Sequence, residues 1–215
     1  MTSRSSDKVA MQERILETTD RLFYRQGLRA VGVDTIAAEV GISKRTLYNH
    51  FPSKDALIVA YLSRRLRPTK ASDKTPAEQI LGDFDRLERA FARDGFRGCP
   101  FVNAVAELSE PTHAANKIAI AFKEQRRMWF RELLTRLEIA DPDSLATQLM
   151  LLVDGAIAAA LVRGDPKMAR AAREAARVLL TAAGVQISAA AATTRPRYLK
   201  HHADRGARRR SVDKS

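Results

Sequence analysis

The stretch Thr35–Leu57, TIAAEVGISKRTLYNHFPSKDAL, decides how this chain is read. Ala37 is small, so a second helix can cross close beside it. Gly41 can take a positive φ and turn the chain sharply without a Cβ clash. Ile42 and Leu47 fill the wedge between the two helices. This spacing predicts a helix-turn-helix, two helices joined by a short turn. The first helix runs from about Val33 to Val40. Ser43 caps the second, which runs from Lys44 to His50. Phe51-Pro52 imposes an extended residue before proline and stops it. Ser53 then caps a further helix to about Leu66.

The outward residues of the second helix are Lys44, Arg45, Thr46, Tyr48, Asn49 and His50. No acid occurs from Gly41 to Lys54, so this edge is expected to carry a uniformly positive field. Recognition helices present their N-terminal residues to base edges in the major groove, where Lys44 and Arg45 stand. Arginine can read guanine with two parallel hydrogen bonds. Tyr48 and His50 have polar tips suited to phosphate oxygens. Lys54 opens the next helix, where free N–H groups and the helix dipole also favour an anion.

The same periodicity extends both ways. Strand signals are nearly absent, and apolar residues recur at three and four, which predicts an all-α chain of about nine helices. Met11, Ile15, Leu22 and Phe23 stripe a first helix from about Asp7 to Gln26, stopped by Gly27. Residues 67–74, RPTKASDK, are polar and mark a boundary. Thr75-Pro76-Ala77-Glu78 is a capping box with proline at the first helical position. Pro100 and Pro111 bracket a short helix. Thr112 can start a long one to about Glu138. Asp141-Pro142 and Asp165-Pro166 open two more, over roughly 145–162 and 167–183.

Residues 8–62 resemble the DNA-binding domain of the TetR family of bacterial transcriptional regulators. The carrying residues are Arg14-Ile15-Leu16, Leu22-Phe23, Gly27, Ile36-Ala37, Gly41, Ser43-Lys44, Thr46-Leu47-Tyr48, His50-Phe51 and Ser53-Lys54-Asp55-Ala56-Leu57. The resemblance implies an N-terminal three-helix reader and a C-terminal helical domain for ligand binding and dimerisation. It implies a homodimer on a palindromic double-stranded DNA operator, usually as a repressor, released by a small-molecule effector. Lys44 and Arg45 match base-reading positions, and Thr46, Tyr48, His50 and Lys54 match backbone-contacting ones. One departure stands out. The family often has Thr or Ser before the second helix, whereas this chain has Val31-Gly32-Val33, leaving Thr35 as the substitute phosphate contact.

The expected division is therefore a reader at 1–66, a regulatory and dimerisation domain at 67–192 and a basic, disordered tail at 193–215. Charge follows it. Residues 1–67 hold 12 basic and 7 acidic side chains, 68–192 hold 17 and 16, and 193–215 hold 8 and 2. The last two helices are alanine-rich, and Leu149, Leu152, Leu161, Val178, Leu179 and Leu180 supply apolar area, either for an ordinary intramolecular core or, as the resemblance implies, for a four-helix dimer interface. Ligand pockets are mostly apolar with a few polar groups. The candidates are Phe96, Cys99, Phe101, Asn103, Phe122, Trp129, Met150 and Asp154, with Met128, Glu107 and His113 beside them. Cys99, at a helix start, is a candidate thiol sensor or an inert buried group.

Other classes fit poorly. No Gly-rich phosphate loop, HExxH or nucleophile motif appears, so no enzyme, metal or cofactor is expected. The pair His201 and His202 is too isolated for a metal site. The N-terminal stretch lacks the apolar core of a signal peptide. The apolar run Leu149–Val162 is 14 residues long and carries Asp154, too short and polar for a span. A cytoplasmic, nucleoid-associated bacterial protein is expected. The alternative is an architectural or partner-docking DNA-binding protein without a ligand, which a core without a cavity would favour. Truncation after Ala192 is expected to weaken DNA binding modestly and evenly across sequences, measured by titrating unrelated duplexes. Lost discrimination between them would assign the tail a reading role.

Overall fold

The computed structural model describes residues 3–66 and 72–187. Among these residues there are nine helices and no strand. The head comprises α1 (Ser3–Gln26), α2 (Val33–Val40), α3 (Lys44–His50) and α4 (Lys54–Arg65). The body comprises α5 (Pro76–Phe91), α6 (Pro100–Leu108), α7 (Ala114–Arg136), α8 (Pro142–Arg163) and α9 (Met168–Ala182).

The caps explain most boundaries. Ser43 Oγ accepts from the Thr46 N–H at 3.0 Å, and Ser53 Oγ accepts from Ala56 N–H at 3.0 Å. Thr75 and Glu78 close the reciprocal capping box that opens α5. Asp141 accepts from Ser144 N–H at 3.0 Å, with Pro142 at the start of α8. Besides α9, which starts at Met168 with Lys167 in place of Asp165 at its cap position and no side-chain cap there, two boundaries differ from expectation. Helix α1 begins at Ser3, so Asp7 lies within it. Helix α7 is capped by His113, whose Nδ1 accepts from Ala115 N–H at 3.0 Å, and not by Thr112. A histidine is an uncommon cap, and its sequence signal is weaker than that of threonine.

The turn between α2 and α3 is built as its glycine requires. Gly41 sits at φ 76. Its N–H reaches Ala38 O, and Ile42 N–H reaches Ala37 O at 3.0 Å. These two bonds make a Schellman stop, which satisfies carbonyls that the helix end leaves free. Leu47 is fully buried beneath the crossing, with Ile36, Ala37 and Val40 around it.

Helix α4 joins head to body. Leu57, Ile58, Tyr61 and Leu62 are all buried, and α4 packs on both α1 and α7. The head core runs without a break into Cys99, Phe101, Ala104, Ala115 and Ala119 of the body. In the body, α8 packs between α7 and α9, and α5 packs on α9. Helix α8 has 22 residues, and by length and composition it could cross a membrane. The apolar run Leu149–Val162 is only part of this helix, which starts at Pro142. Here its buried side, Leu145, Leu149, Met150, Val153, Ala156 and Ala160, is turned into the protein.

Gly27 is more constrained than Gly41. It lies at φ 98, and an added Cβ would meet a Glu107 carboxylate oxygen at 2.9 Å, whereas nothing lies within 4 Å at Gly41. Left-handed backbone costs a non-glycine residue about 1–2 kcal/mol. Gly41→Ala is expected to lose about that much stability in urea melts. Gly27→Ala should lose more, because Glu107 must also leave the Arg29 N–H that it accepts at 3.0 Å. Equal losses at the two sites would show that the Glu107 contact is immaterial.

Candidate DNA-reading surface and internal cavity

Helix α3 is anchored by one buried residue and offers the rest outward. Leu47 is inward, Arg45, Tyr48 and Asn49 are exposed, and Thr46, His50 and Lys54 are half-buried. Among the described residues Arg45 forms no ion pair, leaving its guanidinium available to an acceptor. Thr46 is partly committed, since its hydroxyl shares a 2.8 Å hydrogen bond with Ser43 Oγ. Nδ1 of His50 is buried without a hydrogen-bond partner. Thr35 is exposed in the first turn of α2, and Gly32 provides no side-chain cap there.

The edge is not uniformly positive. Asp34 of α2 reaches Lys44 Nζ at 2.7 Å. The hydrogen bond and charge of that carboxylate hold the Lys44 pKa above its ordinary value. The crossing of α2 over α3 brings in an acid from ten residues upstream, outside the acid-free window. Glu39, the other acid of α2, is tied to Arg21 at 2.7 Å. Arg14 donates to Val40 O at 3.1 Å, a cation placed where the α2 dipole favours one.

Behind this surface lies a cavity of about 390 Å³ where head meets body. Tyr24 of α1 and Arg65 of α4 line it from the head. Leu87, Phe91, Phe96, Phe122, Val153 and Ile157 give it apolar walls, and Lys123, Arg126 and Asp154 give it charge. Of the eight pocket candidates, the fold brings Phe96, Cys99, Phe122 and Asp154 together here. Phe101 stacks on Phe122 with centroids 3.9 Å apart, but it and Met150 line a separate groove with Val102, Val105 and Ile120. Trp129 and Met128 line a surface cleft on α7. Asn103 is a structural tie, donating to Arg97 O at 2.7 Å. Glu107 accepts from Arg29, and His113 faces Asp55 of the head, Nε2 to Oδ1 3.5 Å.

Six polar cavity groups lie outside the sequence-predicted set: Tyr24, Arg65, Arg93, Asp94, Lys123 and Arg126. Arg65 donates twice to Asp20, at 2.7 Å each, and lies 4.9 Å and 5.0 Å from the ring centroids of Tyr24 and Tyr61. Lys123 pairs with Asp154, and Arg126 with Asp83. Burial raises the pKa of the Tyr61 phenol and keeps it neutral. No periodicity marks these groups, since they come from α1, α4, α7 and the segment after α5.

A capped, exposed reading helix on a helical body defines a helix-turn-helix DNA-binding regulator. Comparison with known proteins agrees. Residues 15–61 match the profile for bacterial regulatory proteins of the tetR family, and residues 116–183 match the tetracyclin repressor-like C-terminal domain. The chain is 26% identical over 159 residues to the HTH-type transcriptional regulator YjdC of Escherichia coli, covering 70% of this chain and 83% of that one. A putative TetR transcriptional regulator from Streptomyces avermitilis is 33% identical with a TM-score of 0.73, covering 82% of this chain and 99% of that one. A TetR-family regulator from Streptomyces coelicolor is 30% identical with a TM-score of 0.72, covering 81% and 96%. The chain belongs to the TetR family and is a DNA-binding transcriptional regulator.

Two substitutions separate reading from positioning. A bidentate arginine–guanine contact is worth about 1–3 kcal/mol of discrimination. Arg45→Ala is expected to lower affinity for the selected operator accordingly and to relax preference at one position of each half-site. Asp34→Asn should instead tighten binding to any duplex at low salt, because it frees the Lys44 charge. Fluorescence anisotropy on operator and unrelated DNA measures both. Unchanged operator binding by Arg45→Ala would remove the reading role.

Proposed function

We propose that the chain is a homodimeric repressor of a palindromic operator, released when a small molecule enters the cavity between head and body. Residues 1–66 read DNA, and residues 67–192 dimerise and sense the effector. The observation that carries this reading is the exposed Arg45, Tyr48 and Asn49 face on a helix held by Leu47 and the Ser43 cap. Lys44 and Arg45 contact bases. Thr46, Tyr48, His50 and Lys54 contact the backbone, with Asn49 and Thr35 at the edges. One seven-residue helix contacts few base pairs, so useful specificity requires two half-sites.

The surface of α8 and α9 supports a dimer. Leu151 is 65% exposed, Val162 85% and Val178 54%. Gly155 and Ala158 lie between the first two along one face of α8, and Ala171 and Ala182 flank Val178 on α9. Small residues permit close helix approach, and the large exposed ones supply area that water disfavours. Leu161 also points outward, whereas Leu149 and Leu180 are fully buried within the chain itself. The interface therefore draws on Leu151 and Val162, not on those two.

Selection of bound duplex from a random pool tests the operator, and an inverted repeat is expected. Leu151→Glu with Val178→Glu should convert the dimer to a monomer in sedimentation experiments. It should also weaken binding to a full palindrome by far more than to a half-site. A dimer that survives both substitutions would place the interface elsewhere.

A further inference from the structure

The proposed effector cavity has a distinct chemical bias. Four cationic side chains line it, Arg65, Arg93, Lys123 and Arg126, against two carboxylates, Asp94 and Asp154. Their existing partners do not use up this excess. Arg65 is neutralised by Asp20 and Lys123 by Asp154. Asp83, however, serves two guanidiniums, those of Arg86 and Arg126. Nε of Arg126 is buried with no hydrogen-bond partner among the described residues. Nε itself has no surface open to the cavity, and Arg126 offers the cavity the remainder of its guanidinium, which an ionised acceptor answers best.

We propose that the cavity binds a small apolar carboxylate, its anionic group against the Arg126 guanidinium beside Lys123 and its body along Phe91, Phe96, Phe122 and Ile157. This inference rests on the reading of the cavity as the effector site. The volume of about 390 Å³ lies within the range of small-molecule sites. A cationic guest would add charge beside Arg126 and Lys123, while Asp154 and Asp83 already hold cations. A neutral guest would leave the Arg126 guanidinium with only the carboxylate it shares with Arg86. Tyr24 and Arg65 border the same space, so an occupant touches the head as well as the body.

The test compares three apolar bodies, octanoate, phenylbutanoate and naphthylacetate, each as carboxylate, primary amide and amine. Calorimetric titration of the full-length dimer is expected to show at least one carboxylate binding about tenfold or more tighter than its amide and amine, a margin of about 1.4 kcal/mol. Arg126→Gln should abolish that margin. Lys123→Gln, which leaves the Asp83 cluster intact, should reduce it. Equal or tighter binding of the amides or amines would overturn the proposal, as would no carboxylate binding at all. The selected operator is titrated alongside. A carboxylate that binds without changing operator affinity would support this charge preference and overturn the effector reading. An amine or amide that binds and releases DNA would do the reverse.

Discussion

The Arg65–Asp20 ion pair is the contact on which the geometry of the molecule turns. Arg65 is the last residue of α4, and Asp20 lies in α1. Both charges are roughly 70% covered, and the pair is bidentate at 2.7 Å. Planar two-point contacts fix orientation as well as distance. The guanidinium also lies over the rings of Tyr24 and Tyr61, a second attraction that needs the same placement. Because α4 is buried against α7 as well as α1, the pair fixes the rest of the head to the helix that seats it on the body. The direction of α3 follows, since α3 is joined to α4 by only Phe51, Pro52 and Ser53.

A second seam holds the other end of the head. Tyr24 Oη donates to Gly98 O at 3.1 Å and accepts from Arg97 N–H at 3.0 Å. Arg97 in turn donates to Arg25 O. Glu107 accepts from Arg29 N–H just beyond the stop at Gly27. Backbone groups make much of this seam, so substitutions that keep the fold leave many of these bonds intact. The loop carrying Arg97 and Gly98 also forms one wall of the cavity. Head, loop and cavity thus share atoms, and a shift in any one is felt by the others.

How much of this was legible follows from distance along the chain. Gly41, Ser43, Ser53, Thr75 and Asp141 act on neighbours within three or four residues, so their caps and turns could be read directly. Leu47 could be read as core because the period that buries it is local. Asp34 was misjudged for the opposite reason: it meets Lys44 only after two helices cross. The pocket candidates were selected by residue type within the body, which cannot tell the cavity from the groove holding Phe101 and Met150 or from the cleft holding Trp129. Arg65 and Tyr24 belong to the head, and no local pattern in the sequence places head residues in the wall of a cavity in the body. The exposed apolar stripe of α8 and α9 was half legible, because composition marks both helices as apolar while only packing decides that Leu149 faces in and Leu151 faces out.

The position of the cavity bears on how an effector could act. A ligand shifts an equilibrium only by the difference in its affinity for two states. A site enclosed wholly by the body would hold its guest equally whatever the head did. Here Tyr24 and Arg65 belong to the head and line the space, while Phe122, Arg126 and Ile157 belong to the body. Any rotation of the head changes the shape and charge of the site itself. Differential affinity is then built into the wall, and no long relay of contacts is needed to carry it. For an effector that did release DNA from this site, the coupling would be reciprocal, and operator binding would alter affinity for it by the same factor.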